Sequence, residues 1–134
     1  MLRLHALGGL YLERDGVRID SGATQRKRLV LLAVLAAEQS GATRDKVAAL
    51  LWPESDVAHS RNALYQSVAA IRRELGSEVV IGSPTGDLRL NPQLLTSDVA
   101  DFEDALARND LERAAGAYGG VFLDGVHIRS GPEL

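Results

Sequence analysis

The chain has 134 residues, 46% hydrophobic and 25% charged, which suits one globular domain or a domain of about 95 residues with an appendage, and excludes two full-sized domains. It contains no cysteine, which excludes disulfide bonds, a thiolate nucleophile and cysteine-containing zinc or iron–sulfur sites. The net charge of −3 combines +2 over residues 1–96 (12 basic, 10 acidic) with −5 over residues 97–134 (3 basic, 8 acidic), so only the first part suits a polyanionic partner.

The beginning of the chain alternates apolar and polar side chains in three short segments, the pattern of half-buried strands. The apolar positions are Leu2, Leu4 and Ala6, then Leu10 and Leu12, then Val17 and Ile19. Gly8-Gly9 and Arg14-Asp15-Gly16 separate the segments, and the Asp-Gly pair favours a tight hairpin turn. The pattern predicts a small antiparallel meander.

A first helix is predicted from Gln25 to about Gln39 because the apolar spacing changes there from two residues to three and four. Its first residues are basic: Arg26, Lys27 and Arg28. The positive end of a helix dipole favours acidic side chains, so this basic cluster favours a phosphate-binding role. The apolar run Leu29–Ala37 is half the length that a membrane span needs, and the strand pattern begins at once, so we expect neither a membrane segment nor a signal peptide, and a cytoplasmic protein.

Two more helices follow in the sequence. Thr43 offers a hydroxyl N-cap to the second, which ends at Trp52-Pro53. Ser55 or Asp56 can cap the third, which runs from about Val57 to Leu75. Its apolar stripe consists of Leu64, Val68, Ile71 and Leu75. The other faces of this helix are polar and carry groups that can read base edges, namely Arg61, Asn62, Tyr65, Gln66, Arg72 and Arg73.

After Gly76, two short strands are predicted at residues 79–81 and 88–90, joined by a glycine-rich tip over residues 82–87. Asn91-Pro92 and Ser97 mark a boundary, beyond which helices are predicted from about Val99 to Arg108 and from Leu111 to Ala117. We therefore predict a DNA-binding domain over residues 1–96 and a helical segment over residues 97–134. The order of meander, three helices and terminal hairpin is that of an α+β winged helix-turn-helix, with the hairpin as the wing.

Five stretches give the chain a closer likeness. They are Leu7-Gly8-Gly9-Leu10, Gln25-Arg26-Lys27-Arg28-Leu29, Leu50-Leu51-Trp52-Pro53-Glu54, the pair Arg61-Asn62-Ala63-Leu64 and Ile71-Arg72-Arg73-Glu74-Leu75-Gly76, and Asp98-Val99 with Phe102-Glu103 and the later Ala117-Tyr118 and Phe122-Leu123-Asp124-Gly125. In this order they resemble the amino-terminal part of Streptomyces antibiotic regulatory protein (SARP) type activators. Such proteins have an OmpR-type winged helix-turn-helix followed by a helical bacterial transcriptional activator domain, of which residues 97–134 would be the incomplete start.

The resemblance implies a sequence-specific transcriptional activator that binds double-stranded DNA. Its third helix would enter the major groove, its wing would lie along the adjacent minor groove, and its second helix would point its amino terminus at phosphate. The candidate DNA-binding residues are Arg61, Asn62, Tyr65, Gln66, Arg72, Arg73, Thr43, Arg44, Arg26, Lys27, Thr85 and Arg89. The likeness also implies side-by-side protomers on a direct repeat and a contact with RNA polymerase through the loops from Trp52 to His59.

Two departures from the family pattern keep a second interpretation open. Ala69-Ala70 stands where such proteins carry a polar residue and an arginine, and Leu88 replaces an aromatic residue of the wing. Leu88 would change the packing of the wing tip or weaken its binding. Ala69-Ala70 and the low charge motivate the alternative, a degenerate winged helix that serves as a protein-interaction module without binding DNA. We expect no enzyme, cofactor or metal, because the three histidines fall on separate elements and the acidic residues near Asp101 lack a nucleophile motif.

Overall fold

The computed structural model describes residues 1–20, 25–83 and 86–107 and has a mixed α+β fold. Its strands are β1 (Leu2–His5), β2 (Tyr11–Arg14), β3 (Val17–Arg18), β4 (Ala42–Thr43), β5 (Val80–Gly82), β6 (Asp87–Leu90) and β7 (Leu95–Ser97). Its helices are α1 (Arg26–Ala37), α2 (Arg44–Leu51), α3 (Val57–Leu75) and α4 (Asp98–Ala107). The predicted helix at residues 111–117 lies outside the described residues.

The amino-terminal sheet has the strand order β3-β2-β1-β7. The antiparallel meander is confirmed, and Asp15 and Gly16 both have positive φ angles, 51° and 82°, as the predicted Asp-Gly turn requires. The fourth strand was not predicted. β7 pairs in parallel with β1, with Leu2 opposite Leu95 and Leu4 opposite Ser97.

β7 spans the limit predicted after residue 96, and α4 follows it without a linker. The Asp98 side chain is buried, and its two carboxylate oxygens accept hydrogen bonds from the backbone N–H of Ala6 (2.9 and 3.1 Å) and of Leu7 (3.0 Å). Arg3 adds an ion pair of 2.8 Å to Asp101 on α4. Residues 95–107 therefore pack on the amino-terminal sheet, while the division at residue 96 stays a prediction.

α1 lies at the centre of the core. Every residue from Leu29 to Ala36 is buried, and the helix contacts α2, α3, α4 and β6. A helix that is apolar on all sides needs neighbours all around, because burial of its side chains is what stabilises it. None of the helices in the described parts of the chain is both long and apolar enough to cross a membrane.

Local signals set the ends of α2 and α3. The Thr43 hydroxyl accepts a hydrogen bond from the backbone N–H of Lys46 (3.2 Å), and Asp56 caps α3 by accepting from His59 N–H (2.8 Å). α3 ends at Gly76, whose φ of 122° favours glycine. The predicted stripe Leu64, Val68, Ile71 and Leu75 is buried, which fixes the rotation of α3 about its axis.

The wing belongs to a second sheet with the order β4-β6-β5. The β5–β6 hairpin is confirmed, and β4 is an additional strand of two residues that places Ala42 opposite Leu88. Leu88, which stands where an aromatic residue was expected, is fully buried and joins the main core. The wing is thus anchored to the core through Leu88 of its strand β6.

Candidate nucleic-acid interface

The solvent side of α3 presents a row of polar groups on successive turns. Asn62, Tyr65, Gln66 and Arg73 are exposed, and Tyr65 keeps 66% of its surface accessible. Within the described ranges none of these four side chains makes a hydrogen bond or an ion pair. The reading face, defined as the side of α3 that carries Asn62, Tyr65, Gln66 and Arg73, is therefore available to a ligand.

The Ala69-Ala70 pair has two different environments. Ala70 is buried at 2% exposure, so it belongs to the core and its small size suits close helix packing. Ala69 is partly exposed and lies in the middle of the reading face, one turn after Tyr65 and one turn before Arg73. The departure from the family pattern thus removes a side chain from the face at one position only.

Arg61 flanks the reading face and is held by Asp45 from the first turn of α2. Arg61 Nε lies 2.9 Å from Asp45 Oδ1 and Nη2 lies 3.0 Å from Oδ2, a bidentate pair. The hydrogen bonds and charge of Arg61 lower the pKa of Asp45, and Asp45 in turn raises the pKa of Arg61. Both side chains remain well exposed, so the pair sits at the surface.

Arg72 joins α3 to the wing. Its Nε (3.2 Å) and Nη2 (2.8 Å) both donate to the carbonyl oxygen of Val80 on β5, and the side chain is partly buried. A charged donor shared with a strand carbonyl fixes the distance between the helix and the hairpin. Arg72 therefore orients the wing relative to the reading face, whereas its neighbour Arg73 points to solvent.

Arg44 approaches the same place from α2. A Cβ atom built on Gly82 would lie 3.1 Å from Arg44 Nη2 and 3.7 Å from Arg72 Nη2, so both guanidinium groups lie beside this glycine of β5. Arg44 makes no hydrogen bond or ion pair in the part of the chain that the structure describes. Two cations close together repel each other, and a bound anion relieves the repulsion. The base of the wing is therefore suited to a phosphate group.

The amino end of α2 completes this side of the molecule. Thr43 is exposed and uses its hydroxyl oxygen to cap the helix, which leaves its O–H free to donate. The positive end of the α2 dipole lies in the same turn as Arg44. Thr43, Arg44 and the base of the wing therefore lie together, while binding of phosphate by Thr43 and Arg44 stays a prediction.

Lys27 has an internal role in the structure. Its ammonium group donates to the carbonyl oxygen of Leu51 at the carboxyl end of α2 and lies 5.8 Å from the centre of the Trp52 ring. Arg26 beside it is exposed and also has a partner. A basic residue at the start of α1 is thus explained by the negative end of a neighbouring helix, without a phosphate.

Arg89 and Thr85 are the remaining two predicted residues. Arg89 on β6 is exposed and lines a shallow cavity with Ala36 of α1, Pro92 and Ala100 of α4, so it faces the α1–α4 side. Thr85 lies outside the described residues. Of the twelve candidates, the structure places six on α3 and two, Thr43 and Arg44, at the amino end of α2. Arg26 and Lys27 lie at the start of α1, where Lys27 contacts the carboxyl end of α2, and Arg89 lies apart from α3.

The solved structure of Mycobacterium tuberculosis EmbR, in complex with a low-affinity phosphopeptide, is similar in fold to this chain, with a TM-score of 0.65. The chain shares its fold with EmbR. The two sequences are 23% identical, and the match covers 92% of this chain and 37% of the EmbR chain. No protein-family model and no curated protein matches the sequence.

Sequence reasoning missed two residues of this surface, Asp45 and Gly82. Asp45 could be recognised only as a favourable acidic residue in the first turn of a helix, because its partner Arg61 lies 16 residues away on another helix. Gly82 carries the signal of a turn glycine, yet its use is to let two guanidinium groups approach. Among the described residues no group of three or more acidic or histidine side chains could hold a metal ion.

Proposed function

We propose that this chain is the DNA-binding part of a sequence-specific transcriptional activator, and that α3 reads the major groove of duplex DNA. One observation carries the proposal: the reading face presents amide, phenol and guanidinium groups that are exposed and have no partner among the described residues, on a helix of 19 residues whose opposite face is buried. Asn and Gln side chains can pair with adenine and Arg with guanine, each good bidentate pair contributing about 1–3 kcal/mol of discrimination.

The neighbours of α3 support the same function. Thr43 and Arg44, at the amino end of α2, are suited to bind the phosphate backbone of one DNA strand. The hydrogen bonds from Arg72 to Val80 keep the wing at a constant distance from α3. Phosphate contacts position a protein on the duplex, whereas base contacts specify the sequence. The acidic helix α4 packs mainly against α1 and against strands β1 and β7 of the amino-terminal sheet.

EmbR shares the fold of this chain, and the regulatory role follows from the family resemblance of the sequence. Because the chain spans 37% of the EmbR chain, activation, recognition of a direct repeat by side-by-side protomers and contact with RNA polymerase are proposals for the whole protein. They rest on the family resemblance of the sequence.

Titration of a random-sequence duplex at increasing salt tests DNA binding directly. We expect the logarithm of the affinity to fall linearly with the logarithm of the salt concentration, with a slope that reflects several phosphate contacts. Arg44→Ala should lower the slope by about 0.9, the value for one phosphate contact, whereas the exposed Arg14→Ala on the amino-terminal sheet should leave it unchanged.

Selection of bound duplexes from a random pool tests sequence reading. Enrichment of a defined half-site, repeated in the same orientation, would support both specificity and side-by-side binding. A second function, protein interaction without DNA, is favoured by Ala69 in the middle of the reading face. No retention of any duplex at about 50 mM salt would exclude the first function and leave the second.

A further inference from the structure

Arg61 and Asp45 form a surface pair with a defined free edge. A guanidinium group has five N–H donors, and Asp45 accepts from Nε and from one hydrogen of Nη2. The three donors that remain belong to Nη1 and Nη2, at the end of the side chain. That end carries two parallel N–H groups, the geometry that pairs with O6 and N7 of guanine in the major groove.

The position of the pair is suited to such a contact. Arg61 is the residue before Asn62 of the reading face and one turn before Tyr65, and its side chain is 60% exposed. Without a partner, an exposed arginine samples many rotamers, and ordering it on binding costs conformational free energy. A carboxylate that accepts hydrogen bonds from two of its nitrogens restricts the side chain before the duplex arrives and so removes part of that cost.

We propose that Asp45 is a specificity-determining positioning residue, which holds Arg61 with its terminal N–H groups directed at a guanine. This inference rests on the proposed function and adds the base that one residue reads. Asp45 touches no base itself. The negative charge of Asp45 also neutralises the positive charge of Arg61. The pair therefore contributes little to phosphate binding, and little to the affinity that is independent of sequence.

This pairing predicts opposite effects on affinity and specificity. Asp45→Ala releases a cation beside the duplex, so affinity for a random-sequence duplex should rise about threefold and the salt slope should steepen by about 0.9. In selections from a random pool, one position that the wild type fixes as guanine should lose about tenfold of its preference. A residue with a merely structural role would lower binding of all sequences together.

Three further variants separate charge from geometry. Arg61→Lys keeps the cation but lacks the bidentate end, so it should keep the random-duplex affinity and lose the guanine preference. Asp45→Asn, of nearly the same shape, should behave as Asp45→Ala. Asp20→Asn removes the same charge from an exposed residue just after the amino-terminal meander and should leave the guanine preference intact. Thermal unfolding should show that all four variants remain folded.

The outcomes distinguish this inference from the proposed function. If the wild type binds duplex but Asp45→Ala keeps the base preference at every position, the inference is overturned and the proposed function stands. Loss of all duplex binding in a folded Asp45→Ala would also overturn it, because removal of the carboxylate should strengthen sequence-independent binding. Absence of duplex binding by the wild type would reject the proposed function first.

Discussion

Asp45 and Asp98 are both aspartates in the first turn of a helix, yet they lie in opposite environments. Asp98, where α4 meets β1, is 5% exposed and accepts three hydrogen bonds from backbone N–H groups of residues 6 and 7. Asp45, where α2 meets α3, has 66% of its side chain exposed and, in the described part of the chain, pairs only with Arg61. A buried carboxylate with fixed donors stabilises the fold, whereas an exposed ion pair contributes almost nothing to stability.

This difference separates two regions of the molecule. Around β1, β7 and α4, polar side chains satisfy backbone groups inside the protein, and their loss should unfold it. Around α2, α3 and the wing, several polar side chains are exposed, and their loss should alter binding with little effect on folding. The variants below test that separation, beginning with the largest expected effect.

Asp98→Ala should have the largest effect. It leaves the backbone N–H groups of Ala6 and Leu7 buried without an acceptor, which costs about 2–4 kcal/mol of unfolding free energy. Urea denaturation measures this loss, and Asp101→Ala, which removes only the partly exposed ion pair with Arg3, should change the free energy by less than about 0.5 kcal/mol. Equal effects of the two variants would remove the distinction between the regions.

Gln66→Ala should have the next largest effect, on binding rather than on stability. Because Gln66 is exposed on the reading face, its loss should lower affinity for a selected duplex by about tenfold, the worth of one base contact. Affinity for random-sequence duplex and the unfolding free energy should stay close to wild type. A fall in stability of more than about 1 kcal/mol would show that the reading face also supports the fold.

Arg72→Ala should have a smaller effect, which changes both the stability of the fold and the binding of duplex. The loss of its hydrogen bonds to Val80 should cost about 1 kcal/mol in urea denaturation and should also weaken duplex binding by loosening the wing. The neighbouring Arg73→Ala is the matched control, since it should weaken binding but leave stability unchanged. Identical profiles for the two arginines would contradict the linking role of Arg72.

Glu103→Gln should have the smallest effect. Partial burial raises the pKa of Glu103 on α4, opposed by a hydrogen bond from Gln39 and reinforced by the charges of Asp104 and Glu38. A raised pKa means that the folded state binds the proton more tightly, so the wild type loses stability as the pH rises above the ordinary value of 4.5. Glu103→Gln should therefore be more stable at neutral pH by a few tenths of a kcal/mol, after allowing for solvent screening, and the gain should vanish in acid.

The elements that the sequence predicts well are those with local causes. The period of three and four residues, the Asp56 cap and Gly76 define α3, and all three signals lie within the helix or next to it. β4 and β7 were missed because they contain only two and three residues, and each depends on a partner strand far away in the chain. β3 is as short as β4, but the Asp-Gly turn that joins it to β2 is a local signal, which β4 and β7 lack.

The same limit applies to the interface. The polar side of α3 follows from its apolar stripe, so Asn62, Tyr65 and Gln66 could be assigned to it from spacing alone. The internal partners of Arg61, Arg72 and Lys27 could not, because each contact joins two elements whose relative position depends on packing. The sequence therefore shows which side chains can face a duplex, while the structure shows which of them are already bound to partners within the protein.

The pairing of β1 with β7 has a consequence for folding during synthesis. The amide of Ala6 and the carboxylate of Asp98 are 92 residues apart in the chain, so one edge of β1 has no partner until nearly the whole domain has left the ribosome. Closing such a long loop is entropically costly and slow, and an unpaired strand edge can meet another nascent chain first. We expect truncation before residue 95 to leave a chain that aggregates during translation.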